Sequence, residues 1–200
     1  MRATELLRLI LLIILISGGV VDAQSERKNL DQLIAATENI TLLKTSENGE
    51  WVGFAKEYDK KLDTLVLINT QSKKKKFTRS GITNYEFLTD DVVLINYGNT
   101  AEWFNLRKNR KKLHQNITKT YISQGRNFWM MQSDDKIGTN LGIYSSQSGE
   151  KISEIYNVQK VFDNQAKDIF GVVTAENNSK NHSLYLWKAG KFQHLGVFSW

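Results

Sequence analysis

Apolar residues recur between positions 40 and 200 in short runs separated by polar turns, and two series of runs keep step with each other. The first series is Trp51-Val-Gly-Phe, Val92-Val-Leu-Ile, Phe128-Trp-Met-Met and Ile169-Phe-Gly-Val, with starts 41, 36 and 41 residues apart. The second is Leu65-Val-Leu-Ile, Ala101-Glu-Trp-Phe, Leu141-Gly-Ile-Tyr and Leu184-Tyr-Leu-Trp, spaced by 36, 40 and 43. A shorter run precedes each pair: Ile40-Thr-Leu-Leu, Tyr85-Glu-Phe-Leu, Thr120-Tyr-Ile and Lys160-Val-Phe. A further extended stretch closes each unit, at Lys76 to Ile82, Lys111 to Ile117, Lys151 to Val158 and Lys191 to Val197.

The runs are brief and rich in β-branched and aromatic residues, which suits strands rather than helices. Between them stands turn chemistry, as in Glu47-Asn-Gly, Thr89-Asp-Asp, Gln124-Gly-Arg and Asn164-Gln-Ala. Four extended runs in a unit of about forty residues is the signature of a β-propeller blade, whose two faces are buried only by stacking on neighbours. The pattern therefore predicts an all-β, β-propeller-like array of about four four-stranded antiparallel blades, at 40–82, 83–117, 118–158 and 159–200. A β-sandwich also spaces short strands regularly, but it does not require two series in phase. Each unit carries its own four runs, so no terminal strand is left over to close a ring, and an open partial propeller is expected.

Residues 1–23 break the pattern. Arg2 and Arg8 precede the continuous apolar stretch Leu9 to Ile16, and Ser17-Gly18-Gly19 ends it. Val21 and Ala23 supply the small residues that signal peptidase accepts, which places cleavage before Gln24. The apolar stretch is shorter than the roughly 20 residues a membrane span needs. These features predict an exported chain, periplasmic or extracellular, without a stable membrane span. The lead-in at 24–39 has Leu30, Leu33 and Ile34 spaced for one face of a short helix over Asn29 to Ala36.

Composition narrows the chemistry. The chain has 200 residues with no Cys and no Pro, which excludes disulfides, thiolate nucleophiles, Cys-ligated zinc and iron–sulfur clusters. Lys and Arg number 27 against 21 Asp and Glu, for a net charge of +6. Much of that charge lies in two runs, Lys73 to Lys76 with Arg79 and Arg107 to Lys112. Both fall in the outer hairpin of consecutive blades, where Lys protects an exposed strand edge from pairing. Aromatics for base stacking are not interleaved with them, so nucleic acid is not an expected partner.

From Ile40 to Phe77 the chain resembles the first blade of secreted prolyl oligopeptidase-family serine peptidases of the Bacteroidetes type. Ser46, Gly49, Trp51, Val52, Asp63, Thr64, Leu65 and Asn69 stand at the places of that blade's motif. The likeness continues, more weakly, through Trp200. It implies a propeller that screens access to an α/β-hydrolase domain, with peptide substrate and that C-terminal domain as partners. A Gly-x-Ser-x-Gly nucleophile elbow occurs nowhere in the sequence, so the resemblance carries no catalytic residue over. The chain stops just after the fourth unit, so a propeller portion of such a peptidase, gating substrate or mediating protein interaction, is one expectation. A self-contained exported binding propeller for a glycan, peptide or envelope partner is the other.

No residue is assigned a catalytic, metal or cofactor role. His114, His182 and His194 lack metal-ligand spacing, and His114 and His194 fall at comparable places in fourth strands, as for a structural slot. Asp90-Asp91 and Asp134-Asp135 read as caps of their own turns. Trp51, Trp103, Phe104, Phe128, Trp129, Phe170 and Trp187 read as packing between blades rather than a sugar platform, with Met130 and Met131 as core filler. Asn39, Asn116, Asn177 and Asn181 head N-glycosylation sequons, relevant only to a eukaryotic source.

Overall fold

The computed structural model describes residues 40–58, 61–72, 75–134, 138–164, 169–175, 180–188 and 190–199. The expected leader at 1–23, the helix at Asn29 to Ala36, the turn after Asn164 and the Asn177 sequon lie outside them.

The described residues form sixteen strands in four antiparallel sheets, each built from four consecutive strands in sequence order. Blade one holds β1 (Ile40–Thr45), β2 (Trp51–Tyr58), β3 (Lys61–Asn69) and β4 (Lys76–Ser80). Blade two holds β5 (Asn84–Thr89), β6 (Val92–Asn96), β7 (Ala101–Asn105) and β8 (Arg110–His114). Blade three holds β9 (Ile117–Ile122), β10 (Phe128–Asp134), β11 (Thr139–Ser145) and β12 (Lys151–Ile155). Blade four holds β13 (Val158–Asn164), β14 (Ile169–Ala175), β15 (Asn181–Lys188) and β16 (Lys191–Ser199). The all-β, propeller-like array read from the sequence is thus the architecture of the molecule.

Three buried clusters join the blades in series. Trp51, Leu65 and Leu67 of blade one meet Tyr85, Phe87 and Phe104 of blade two. Leu94 and Trp103 of blade two meet Trp129, Met131 and Tyr144 of blade three. Met130, Leu141 and Ile143 of blade three meet Phe170, Val172 and Trp187 of blade four. Period-two alternation sends neighbouring residues to opposite faces, so Met130 faces blade four while Met131 faces blade two. The aromatic and methionine residues expected as packing therefore serve that purpose. Among the described residues no buried cluster joins blade four to blade one, in keeping with an open array.

Small residues permit the closest approaches. A Cβ on Gly53 would lie 2.8 Å from Tyr85 Cε2, so the ring of blade two rests directly on the backbone of blade one. From there the Tyr85 hydroxyl donates to the Leu42 carbonyl. Trp103 enters the next blade similarly. Its Nε1 donates to the Ser146 carbonyl at 2.8 Å, and a Cβ on Gly149 would stand 2.7 Å from the indole.

The closing strands are shorter than expected in three blades. β4, β8 and β12 end at Ser80, His114 and Ile155, whereas Ile117 and Val158 open the next blade. Gly81, Asn116 and Asn157 have positive φ (70°, 59° and 56°), and this left-handed corner turns the chain from one sheet to the next. The residue after each corner, Ile82, Ile117 or Val158, is buried. Asn116 of the sequon is thus one of three blade corners.

Candidate functional site

The first strands of successive blades lie side by side at the inner end of the sheets. Lys44 of β1 donates to the Tyr85 carbonyl at 2.9 Å and forms an ion pair with Glu86 of β5. Asn84 and Glu86 of β5, residues 119–122 of β9 and Val161 of β13 frame one cavity of about 640 Å³. A second cavity of the same volume adjoins it, bordered by the β1–β2, β5–β6 and β9–β10 turns. Gln124 and Arg126 of the β9–β10 turn border both.

Arg126 stands two residues before β10, and Gly49 and Asp90 hold the same place before β2 and β6. Both Arg126 and Gly49 adopt positive φ, 53° and 71°, so an arginine occupies a conformation that glycine adopts more easily. Arg126 Nη1 donates to the Phe87 carbonyl of blade two at 2.7 Å, which holds the exposed guanidinium at the cavity rim. Lys119 Nζ lies 4.7 Å from the centre of the Tyr121 ring, and the Tyr121 hydroxyl donates to Gln132 Oε1 at 3.2 Å. The cavity thus offers two cations, amides and an aromatic ring, while its carboxylate, Glu86, is held by Lys44.

Asp90 and Asp91 depart from the expected local capping. Asp90 Oδ1 accepts from the Asn48 amide of blade one at 2.8 Å, and Asp91 Oδ2 pairs with Arg107 Nε at 3.1 Å. Asp90 thus reaches blade one, because stacking brings equivalent turns together, whereas Asp91 reaches the β7–β8 turn of its own blade. Asp134 does stay local, accepting from Thr139 Oγ1 across the β10–β11 hairpin; Asp135 lies outside the described residues.

The basic runs are likewise more than edge protection. Arg107 Nη2 pairs with Glu50 of blade one at 3.1 Å, and Lys112 pairs with Glu150 of blade three. Arg79 of β4 donates to the Glu102 carboxylate of blade two through Nε and Nη2, at 2.9 to 3.1 Å. Tyr97 donates to the same carboxylate at 2.7 Å. Burial opposes charge on Arg79, yet Glu102 holds its guanidinium above the ordinary value. Burial and then the bond to Glu102 raise the Tyr97 hydroxyl as well. Lys75, Lys76, Lys108, Arg110 and Lys111 remain exposed on the rim.

His114 and His194 do not share a slot. His114 pairs with Ala101 and faces blade three, where its ring meets Trp129 and Tyr144 at 5.4 and 4.9 Å. His194 pairs with Tyr185, whose neighbours on that face point toward blade three, so its side chain takes the opposite sense. An offset of one residue in a strand reverses the face. Among the described residues no cluster of three His, Asp or Glu side chains is placed to hold a metal. No helix among them is long and apolar enough to cross a membrane.

No family model and no curated protein matches the chain. Solved structures with a similar strand arrangement include the β-propeller domain of the Trilobed protease from Pyrococcus furiosus, described as having an open velcro topology. It is 16% identical with a TM-score of 0.44, and the match covers 78% of this chain and 56% of that one. The acylaminoacyl peptidase of Pyrococcus horikoshii is 14% identical at a TM-score of 0.43, over 80% of this chain and 32% of that one. The WD40 domain of Toxoplasma gondii coronin is 6% identical at 0.44, over 80% and 45%. The chain thus spans about half or less of the length of these proteins.

Proposed function

We propose that this chain is a non-catalytic binding module of propeller type whose ligand enters the cavity on the inner strands. The observation that carries this reading is the 640 Å³ cavity framed by the first strands of three blades. Its volume falls in the range of ligand pockets, and its walls come from packed strands rather than from one pliable loop. All the described strands belong to the four blades, so ligand capture or gating needs no element beyond them. The resemblance of the Ile40 to Phe77 stretch assigns the module to an exported peptidase of prolyl oligopeptidase type, where it screens peptides or docks a partner.

The test uses the full chain and a plug. Thr120→Trp fills the cavity from its β9 wall, and retention of short peptides on the immobilised protein should fall while the melting temperature holds. Equal retention by both proteins would overturn the cavity as the binding site. Hydrolysis of prolyl or general peptide substrates by the purified chain would overturn the non-catalytic assignment. Export is checked by N-terminal sequencing after expression in a secreting host, where the reading expects a start at Gln24 and fails on a start at Met1.

A further inference from the structure

We infer that the inner cavity captures the C-terminal end of an extended peptide, with the terminal carboxylate held by Arg126 and the backbone laid along the free edge of β9. This deepens the binding-module reading and rests on it.

The first support is the shape of one wall. β9 stands last in its sheet order, β12-β11-β10-β9, so its second edge has no strand partner in that sheet. Residues 119–122 of β9 border the cavity, which places that edge along its length. An unpaired strand edge presents alternating N–H and C=O groups, and the ligand that matches them is another extended backbone. A sugar or a compact anion would leave most of those groups unmatched.

The second support is the charge at the end of that edge. Lys44 neutralises Glu86, and among the described residues neither Lys119 nor Arg126, which also border this cavity, forms an ion pair. Glu47 and Asp90 border the adjoining cavity on the other side of Arg126, so an anion settles on the Lys119 side. Arg126 lies in the turn that leaves the C-terminal end of β9, and one of its nitrogens is already fixed on the Phe87 carbonyl. A guanidinium anchored through one nitrogen still offers a paired donor face to a carboxylate. The terminal carboxylate of a peptide lying parallel to β9 arrives there.

The third support is conformational. Arg126 keeps a φ of 53° at the place where blade one has Gly49. A non-glycine residue in that region carries a local penalty, and an observed penalty of this kind is a pointer to use. It also supplies a variant that does not threaten folding, because Arg126→Gly suits the backbone.

The experiment measures binding of a pentapeptide pool, with free or amidated C termini, to the full chain by fluorescence anisotropy. The free-acid pool should bind about tenfold or more tightly than the amidated pool, as a charge-assisted anchor requires. Arg126→Gly should lower free-acid binding by that same factor, abolish the difference between the pools and leave the melting temperature unchanged or raised. Lys119→Gln should weaken free-acid binding by a smaller factor, and N-terminal acetylation should have no effect. Equal binding of both pools overturns the carboxylate anchor while the binding-module reading stands. Arg126-dependent binding of a hexuronate oligomer with no peptide bound overturns the peptide assignment. Failure of every probe, with the Thr120→Trp plug also without effect, overturns both readings.

Discussion

His114 lies in β8 with its ring against Trp129 and Tyr144 of the following blade. Burial first, and then Lys112 and Lys151, lower its pKa below the ordinary histidine value. The unfolded chain then takes up this proton more readily than the native one. The His114 contribution to stability is complete above the ordinary value of about 6.5 and declines as pH falls through it toward the native value. Urea midpoints should therefore drop between pH 7.5 and 5.5, and His114→Phe should flatten that slope; an unchanged slope would refute the assignment. The same interface raises the Tyr144 hydroxyl to about 12, through burial and then Glu154. At Gly53 the argument is steric. The Tyr85 ring leaves no room for a methyl group, and Gly53→Ala should cost about 1–3 kcal/mol in chemical denaturation. A loss near zero would mean that the blades separate without penalty.

Between strands, the Arg79–Glu102–Tyr97 group shows how an outer strand is fastened to the next blade. The Glu102 side chain is 4% exposed and that of Arg79 23%, so little water is available if one partner is removed. Glu102→Ala should destabilise by about 3 kcal/mol, while Arg79→Met with Glu102→Leu should recover much of that loss. The additive result in a double-mutant cycle would show that the pair is not coupled. Strand identity at this scale was legible in the sequence because burial on both faces leaves a short, nearly continuous apolar run at each second and third strand. The blade corners were not, because Gly81, Asn116 and Asn157 share a backbone conformation rather than a residue type. The ion pairs inside the basic runs are hidden for a related reason: Arg79, Arg107 and Lys112 look like their exposed neighbours until the acid on the neighbouring sheet is in view.

Across the molecule, three interfaces in series make stability close to a nearest-neighbour sum. A cavity in blade four should then act locally. Val172→Ala should speed hydrogen exchange in blade four and spare blades one and two, whereas Val93→Ala should affect both blades one and two. A uniform acceleration from Val172→Ala would show that the array unfolds as a single unit. Blade four also carries Phe162 and Leu195 at 48% and 51% exposure, with Phe162 lying over Gly171. Gly171 holds in β14 the place that Gly53 holds in β2, where Tyr85 packs.

The order of residues was enough to determine four like units of four strands, because the repeat of short apolar runs and turns is a property of the chain itself. It also pointed to aromatic and methionine side chains as the filling of the interfaces, since runs apolar on both faces call for burial on both. The Arg126 site was decided only by stacking. Gln124-Gly-Arg reads as a turn like any other, and its chemistry depends on three inner strands converging and on Lys44 neutralising Glu86. Those groups lie tens of residues apart along the chain, and only inter-sheet packing sets the distances over which their charges act.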